Sequence, residues 1–182
     1  MELVPTRFPE VVVIKPRVFG DSRGYFLETW QATKFAAAGI GTQFVQDNHS
    51  HSARWTLRGL HYQIEQPQGK LVRVARGAVF DVVVDVRKSS PTFGEWVGEE
   101  LSDVNHHMLW IPPGFAHGFL ALTDDVDFLY KCTDFYAPQH ERTIRWNDPA
   151  IGIRWPLPAG VLPLLAKRDS EAPGLGDAER FA

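Results

Sequence analysis

Residues 68–87, QGKLVRVARGAVFDVVVDVR, constrain the fold more than any other stretch. Residues 71–75 alternate loosely, and residues 78–86 form a long run of mostly β-branched side chains. Such side chains pack well on a pleated surface and poorly in a helix. Arg76-Gly77 interrupts the two runs, so the pattern predicts a hairpin with a tight turn there and a buried second arm. Further short strands are expected at 11–14 (closed by Pro16), 25–28, 108–111, 118–122 and 128–133, with turn formers packed into 19–24. One helix is expected, over 31–38, with Thr29 as its N-cap and Gly39 as its stop. Thirteen prolines and fifteen glycines keep the elements short. Many short strands and one helix indicate a mainly β fold, a β-sandwich or small barrel whose mouth can hold a small ligand.

The length of 182 residues fits one domain, 1–182, and 44% apolar residues suffice to close a core. The polar stretch 166–182, broken by Pro and Gly, is expected to hold at most a turn of helix and to end, from about 170, as a mobile tail. A formal charge of −3 argues against a general nucleic-acid binder, which needs a basic face. A local cluster of Arg and Lys is still able to meet a small anion. The single cysteine, Cys132, precludes an internal disulfide and suits a reducing compartment. No apolar run approaches the ~20 residues of a membrane helix, so a cytoplasmic protein without membrane contact is expected.

The seven histidines invite a metal reading. His49 and His51 share a strand face, and Pro113-Gly114-Phe115-Ala116-His117 resembles the second motif of cupins. Metal-binding cupins also carry His-x-His followed by Glu three or four residues on. No Glu follows His51 at that distance, and Gly59 stands two before His61. The ligand set is incomplete, since a metal needs three or four convergent ligands. Around His61 the pattern is different: Arg58 precedes it by three and Lys70 follows by nine. A cationic pair beside a histidine suits an anionic, oxygen-rich ligand. In a regular strand Arg58 and His61 point to opposite faces, unless Gly59 marks a bulge.

Seven segments in order carry a resemblance: FGDSRGYFLE (19–28), FVQDNHSHS (44–52), LRGLHYQ (57–63), the 68–87 stretch above, WIPPGFAHGFLAL (110–122), FLYKCTDFY (128–136) and ERTIRWNDPAIGI (141–153). From about residue 5 to 173 the chain resembles the dTDP-4-dehydrorhamnose 3,5-epimerase family. The resemblance implies a cupin-type β-sandwich or jelly-roll barrel, a dTDP-sugar substrate, no cofactor and no metal. It implies a homodimer in which contacts from the 19–28 region cross to the other copy. It places His61 on the general base, Tyr130 on the general acid and Asp169 on the carboxylate paired with the base. Lys70 and His117 fall on residues lining the sugar site. Arg58, Arg23, Glu28, Gln46, Asn48 and Glu141 fall on substrate-binding positions, and Arg168 or Lys167 on that of a family lysine. Taken alone, Tyr130 reads as a core aromatic and Asp169 as a surface cap. The loop between His61 and Lys70 is one residue shorter than the common family version.

The chemistry fits these residue types. In a 4-keto sugar, carbons 3 and 5 flank the carbonyl, and a proton on either is acidic because the carbanion delocalises as an enolate. One group must remove it from one face and another return one to the opposite face. His61 suits the base role, with Asp169 holding its tautomer. Lys70 is expected to steady the enolate oxygen and, as a nearby cation, to lower the pKa of Tyr130. Arg58 and Arg23 are expected on the diphosphate. A metal-dependent oxygenase, a non-catalytic binding module and a single-position epimerase are the competing readings.

Overall fold

A computed structural model describes residues 1–40 and 43–181. Its thirteen strands, β1 to β13, are Glu2–Pro5, Val12–Lys15, Val18–Asp21, Gly24–Leu27, Gln46–Ser52, Leu57–Gln63, Lys70–Arg76, Ala78–Asp85, Trp96–Ser102, Met108–Ile111, Phe115–Ala121, Val126–Cys132 and Glu141–Thr143. Two short helices accompany them, α1 (Ala32–Ala37) and α2 (Lys167–Ser170). The strands form a six-stranded sheet, β1-β2-β10-β7-β12-β5, and a five-stranded sheet, β13-β6-β11-β8-β9, with β3-β4 as a separate ribbon. This is the mainly β sandwich that the sequence leads one to expect.

The β8 run shows why. Val79 and Val83 point between the sheets, into a cluster with Val72, Val74, Phe119 and Phe128. Val82 and Val84 point the other way, into a cluster with Leu60, Tyr62, Ile144 and Leu175. A strand covered on both faces reads as a continuous apolar run instead of alternating. Each fully buried valine contributes about 1.5–3 kcal/mol of transfer free energy. Outside the six-stranded sheet, Phe35 of α1 joins Ile14, Leu71, Met108 and Trp110 in a third cluster.

Three expectations change. Arg76-Gly77 is not a hairpin turn: β7 pairs with β10 and β12, whereas β8 pairs with β11 and β9. The chain crosses from one sheet to the other at Gly77, whose φ is +79°. The N–H groups a hairpin would have paired are taken by the Asp103 carboxylate at Gly77 and the Thr123 hydroxyl at Ala78. The cap of α1 is Gln31, not Thr29, because the Gln31 side-chain oxygen accepts from the Lys34 N–H at 2.6 Å. Gly39, with φ +71°, follows the helix as expected. The C-terminal segment is packed, not loose: Ala172, Leu175 and Ala178 are buried, and Phe181 bridges to Arg87. No described helix is long and apolar enough to cross a membrane.

Candidate active site

A polar cavity of about 260 Å³ opens between the sheets at one end of the sandwich. The six-stranded sheet supplies Gln46 and Asn48 from β5, Lys70 from β7 and Tyr130 from β12. The five-stranded sheet supplies His61 and Gln63 from β6 and Glu141 from β13. Tyr136 and Arg168 complete the rim. Register explains the convergence. Tyr130 faces Asn48 and Val72, and Cys132 faces Gln46 and Lys70, so these side chains alternate together onto the inner face.

Of the two alternatives left open at Gly59, a regular strand or a bulge, the bulge is the one present. His61 pairs with His117 but Arg58 pairs with Phe119, so β6 carries one residue more than β11 over that step. Gly59 has φ +135°, and a Cβ there would meet the Gly118 Cα at 2.5 Å, so only glycine fits. The extra residue brings Arg58 and His61 to the same face.

His61 Nε2 lies 2.7 Å from Asp169 Oδ1, a carboxylate only 2% exposed at the start of α2. The Gly59 N–H donates to Asp169 Oδ2 at 3.4 Å. Asp169 is therefore a partner of the histidine and not a surface cap; Ala166 occupies the cap position of α2. Burial pushes the His61 imidazole below its ordinary value, against the pull of Asp169 and together with Arg168 and Lys70. Burial pushes the Tyr130 phenol up, helped by Cys132 and Glu141 and opposed by Arg58 and Arg168. The expected lowering of Tyr130 by a nearby cation is thus outweighed, and its cations are the two arginines. Burial pushes the Lys70 ammonium down, against the fields of Cys132, Glu141 and Asp81.

Of the two candidates beside Asp169, Arg168 reaches the cavity and pairs with Glu141 at 2.5 Å. The Lys167 side chain is exposed and, among the described residues, pairs only with Glu171, at 3.9 Å. Tyr136 donates to the same Glu141 oxygen at 3.0 Å. Four sequence-expected residues lie elsewhere. Arg58 is held at the edge by Ser52 Oγ and the His51 carbonyl, both at 3.1 Å. His117 is buried behind the cavity, stacked on Phe128 and bonded through Nε2 to both Asp81 oxygens at 2.9 and 3.0 Å. Arg23 closes its turn on Asp21 at 2.5 Å, and Glu28 pairs with Lys34 at 2.7 Å; both belong to the ribbon region. His49 and His51 share the outer face of β5, where both meet Asp127 Oδ1 at 3.1 Å.

Tyr136, Gln63 and Gln68, which line the cavity, and Asp81 behind it are not among the residues expected from the sequence. Tyr136 and Gln63 end two of the segments quoted above, and Asp81 is the one polar residue in the apolar stretch 78–84. That break in an otherwise buried strand was the available signal.

Relatives of known activity share this architecture. A family model described as dTDP-4-dehydrorhamnose 3,5-epimerase matches residues 5–177. A curated dTDP-4-dehydrorhamnose 3,5-epimerase of Pseudomonas aeruginosa is 54% identical over 182 residues, covering 100% of this chain and 99% of that protein. A crystal structure of dTDP-6-deoxy-D-glucose-3,5-epimerase from Legionella pneumophila, in complex with dTDP-4-keto-L-rhamnose, superposes with a TM-score of 0.94 at 46% identity, covering 100% of this chain and 98% of that one. ChmJ, a 3′-monoepimerase from Streptomyces bikiniensis solved with dTDP-quinovose, gives 0.89 at 37% identity, covering 94% and 87%. A mainly β sandwich with acid–base groups gathered at one mouth, in this company, defines an epimerase, an enzyme of the isomerase class. The chain belongs to the dTDP-4-dehydrorhamnose 3,5-epimerase family.

Proposed function

We propose that this enzyme inverts carbons 3 and 5 of dTDP-4-dehydro-6-deoxy-D-glucose, giving dTDP-4-dehydro-L-rhamnose, with His61 as base and Tyr130 as acid. The observation that carries the reading is the placement of His61 and Tyr130 in one cavity but on different sheets. A hexose between them meets a base on one face and a proton donor on the other.

The environments fit the roles. A base must be neutral to accept a proton, and burial favours neutral imidazole in His61. An acid must hold its proton at working pH, and burial keeps Tyr130 protonated. Environments that push two titratable groups apart in this way mark acid and base assignments. In each half-reaction the C–H electron pair passes to the carbonyl oxygen as an enolate, and the proton passes to His61. Asp169 stabilises the resulting imidazolium. The Tyr130 O–H then protonates the opposite face; the phenolate takes a proton from solvent and the imidazolium releases one to it, which resets both groups for the second carbon. Lys70 makes no hydrogen bond to another described side chain, which leaves its ammonium to donate to the enolate oxygen. Arg168 and Arg58 supply positive charge at the rim for the diphosphate, Glu141, Gln46 and Asn48 supply polar contacts, and His117 backs the floor.

Homodimerisation completes the site in this account. Phe19, Tyr25 and Phe26 on the β3-β4 ribbon are all at least half exposed, Phe26 at 68%. An isolated apolar two-stranded ribbon needs a surface to cover it. A second copy supplies that surface and brings Arg23 and Glu28 toward its partner's cavity. The relative solved with dTDP-4-keto-L-rhamnose supports the substrate class.

The test is turnover of dTDP-4-dehydro-6-deoxy-D-glucose in deuterium oxide, read by NMR. Deuterium at both carbons is the expected result. Label at one carbon alone makes the protein a single-position epimerase, the activity named for ChmJ. Its lower identity of 37%, against 54% for the Pseudomonas relative, favours the double reaction.

A further inference from the structure

The segment RWNDPAIGI (145–153) has no part in the chemistry above, yet it grips the stretch of chain that carries Asp169. Asp148 is buried. Its Oδ1 accepts from the Ala150 N–H and its Oδ2 from the Leu175 N–H, each at 2.7 Å. Arg145 adds two bonds to the same stretch, from its N–H to the Pro173 carbonyl at 2.8 Å and from Nε to the Ala172 carbonyl at 3.3 Å. Leu175 and Ile151 then share one apolar cluster against the outer face of the five-stranded sheet.

Asp169 has little local support of its own. Its helix has four residues and no side-chain cap. So short a helix does not hold itself in water. Among the described residues the carboxylate's ties are His61, a long bond from Gly59 and a loose ion pair at 3.6 Å with Arg168 Nε, a neighbour on the same short helix, so its place depends on where the flanking chain is fixed. The nearest buried anchor on the C-terminal side is the clamp at 172–175.

We infer that Asp148 is a positioning residue for the epimerisation: by fixing the Leu175 backbone it holds the Asp169 carboxylate on His61. The inference rests on the reading of Asp169 as partner of the base. Asp148 touches neither His61 nor the cavity, so it acts only through Asp169. A small misplacement caused far from the reacting atoms is enough to slow an enzyme substantially.

Two variants attack the clamp from opposite sides. Asp148→Asn replaces one acceptor oxygen by a donor, leaving one of the two N–H groups unmatched. Gly174→Ala leaves Asp148 in place but sets a Cβ 2.6 Å from its Oδ2, which must then move. If either fails to fold, the other carries the test. Each is made alone and together with Asp169→Asn, and kcat and KM are measured on dTDP-4-dehydro-6-deoxy-D-glucose. Each single change is expected to lower kcat about tenfold with KM nearly constant. In the Asp169→Asn background the same change is expected to cost less than about twofold, because the group it positions is already lost. Losses that multiply in the double variants would show a merely structural role and overturn the inference, as would an unchanged kcat in the singles. Wild-type turnover by Asp169→Asn alone would instead remove the His61–Asp169 reading, and this inference with it.

Discussion

Two histidine–aspartate pairs stand side by side in this sandwich, and their difference separates what the site does from what holds it. His61 and His117 are direct cross-strand neighbours, and each bonds a buried carboxylate through Nε2. His61 faces the cavity, and its carboxylate arrives from a C-terminal segment 108 residues away. His117 lies under Phe128, and Asp81 comes from the adjacent strand β8. Burial holds the Asp81 carboxyl above its ordinary value, while His117 pulls it down. The same chemical pair thus faces the cavity in one place, where the proposed function makes the histidine the base, and is a satisfied buried contact in the other. Exposure and the origin of the carboxylate decide between them.

The largest expected effect breaks the comparison at its centre. His61→Asn should lower kcat by about 10³-fold or more, within the range for a positioned base, and cost about 1–3 kcal/mol in urea unfolding because Asp169 stays buried beside a poorer partner. His117→Asn should also cost about 1–3 kcal/mol, for the same reason at Asp81, but leave kcat within a few-fold of the wild type. Next comes Asp169→Asn, expected to lower kcat about 10²-fold. The same variant sharpens the electrostatic side. Asp169 raises the His61 pKa against burial, so its loss should lower that pKa further. In the free enzyme the base must be neutral, so the acid limb of the kcat/KM profile should move to lower pH in Asp169→Asn. Movement to higher pH would contradict the assignment. Asp81→Asn should leave that acid limb in place and cost about 1–2 kcal/mol of stability. Arg168→Lys is the smallest effect, a rise in KM of about two- to fivefold, because the charge survives but the fork that meets Glu141 through one nitrogen and Asp169 through Nε does not.

The sequence exposed the strands of this fold better than their pairing. The apolar run 78–86 marks a buried strand wherever it pairs. Arg76-Gly77, by contrast, signals a turn equally well for a hairpin or for a corner between sheets. The Asp103 and Thr123 side chains that settle the matter lie far along the chain. The C-terminal segment was hidden for another reason: Ala172, Leu175 and Ala178 are sparse apolar residues among Pro, Gly and charges, with no period to read. In the site, His61, Tyr130 and Lys70 were legible through the family resemblance, Arg168 only as an alternative to Lys167, and Gly59 only as the bulge that would let Arg58 and His61 share a face. Asp81 was not, because a carboxylate in a strand declares its partner only when the neighbouring strand is known.

Solvent hydrogen exchange tests the central claim most directly. Wild type, His61→Asn and Tyr130→Phe are each incubated with dTDP-4-dehydro-6-deoxy-D-glucose in deuterium oxide, and label at carbons 3 and 5 is followed over time. The account predicts rapid entry at both carbons in the wild type and almost none with His61→Asn. Tyr130→Phe should exchange protons on the base's face while forming little inverted product. Exchange by His61→Asn at the wild-type rate would contradict it.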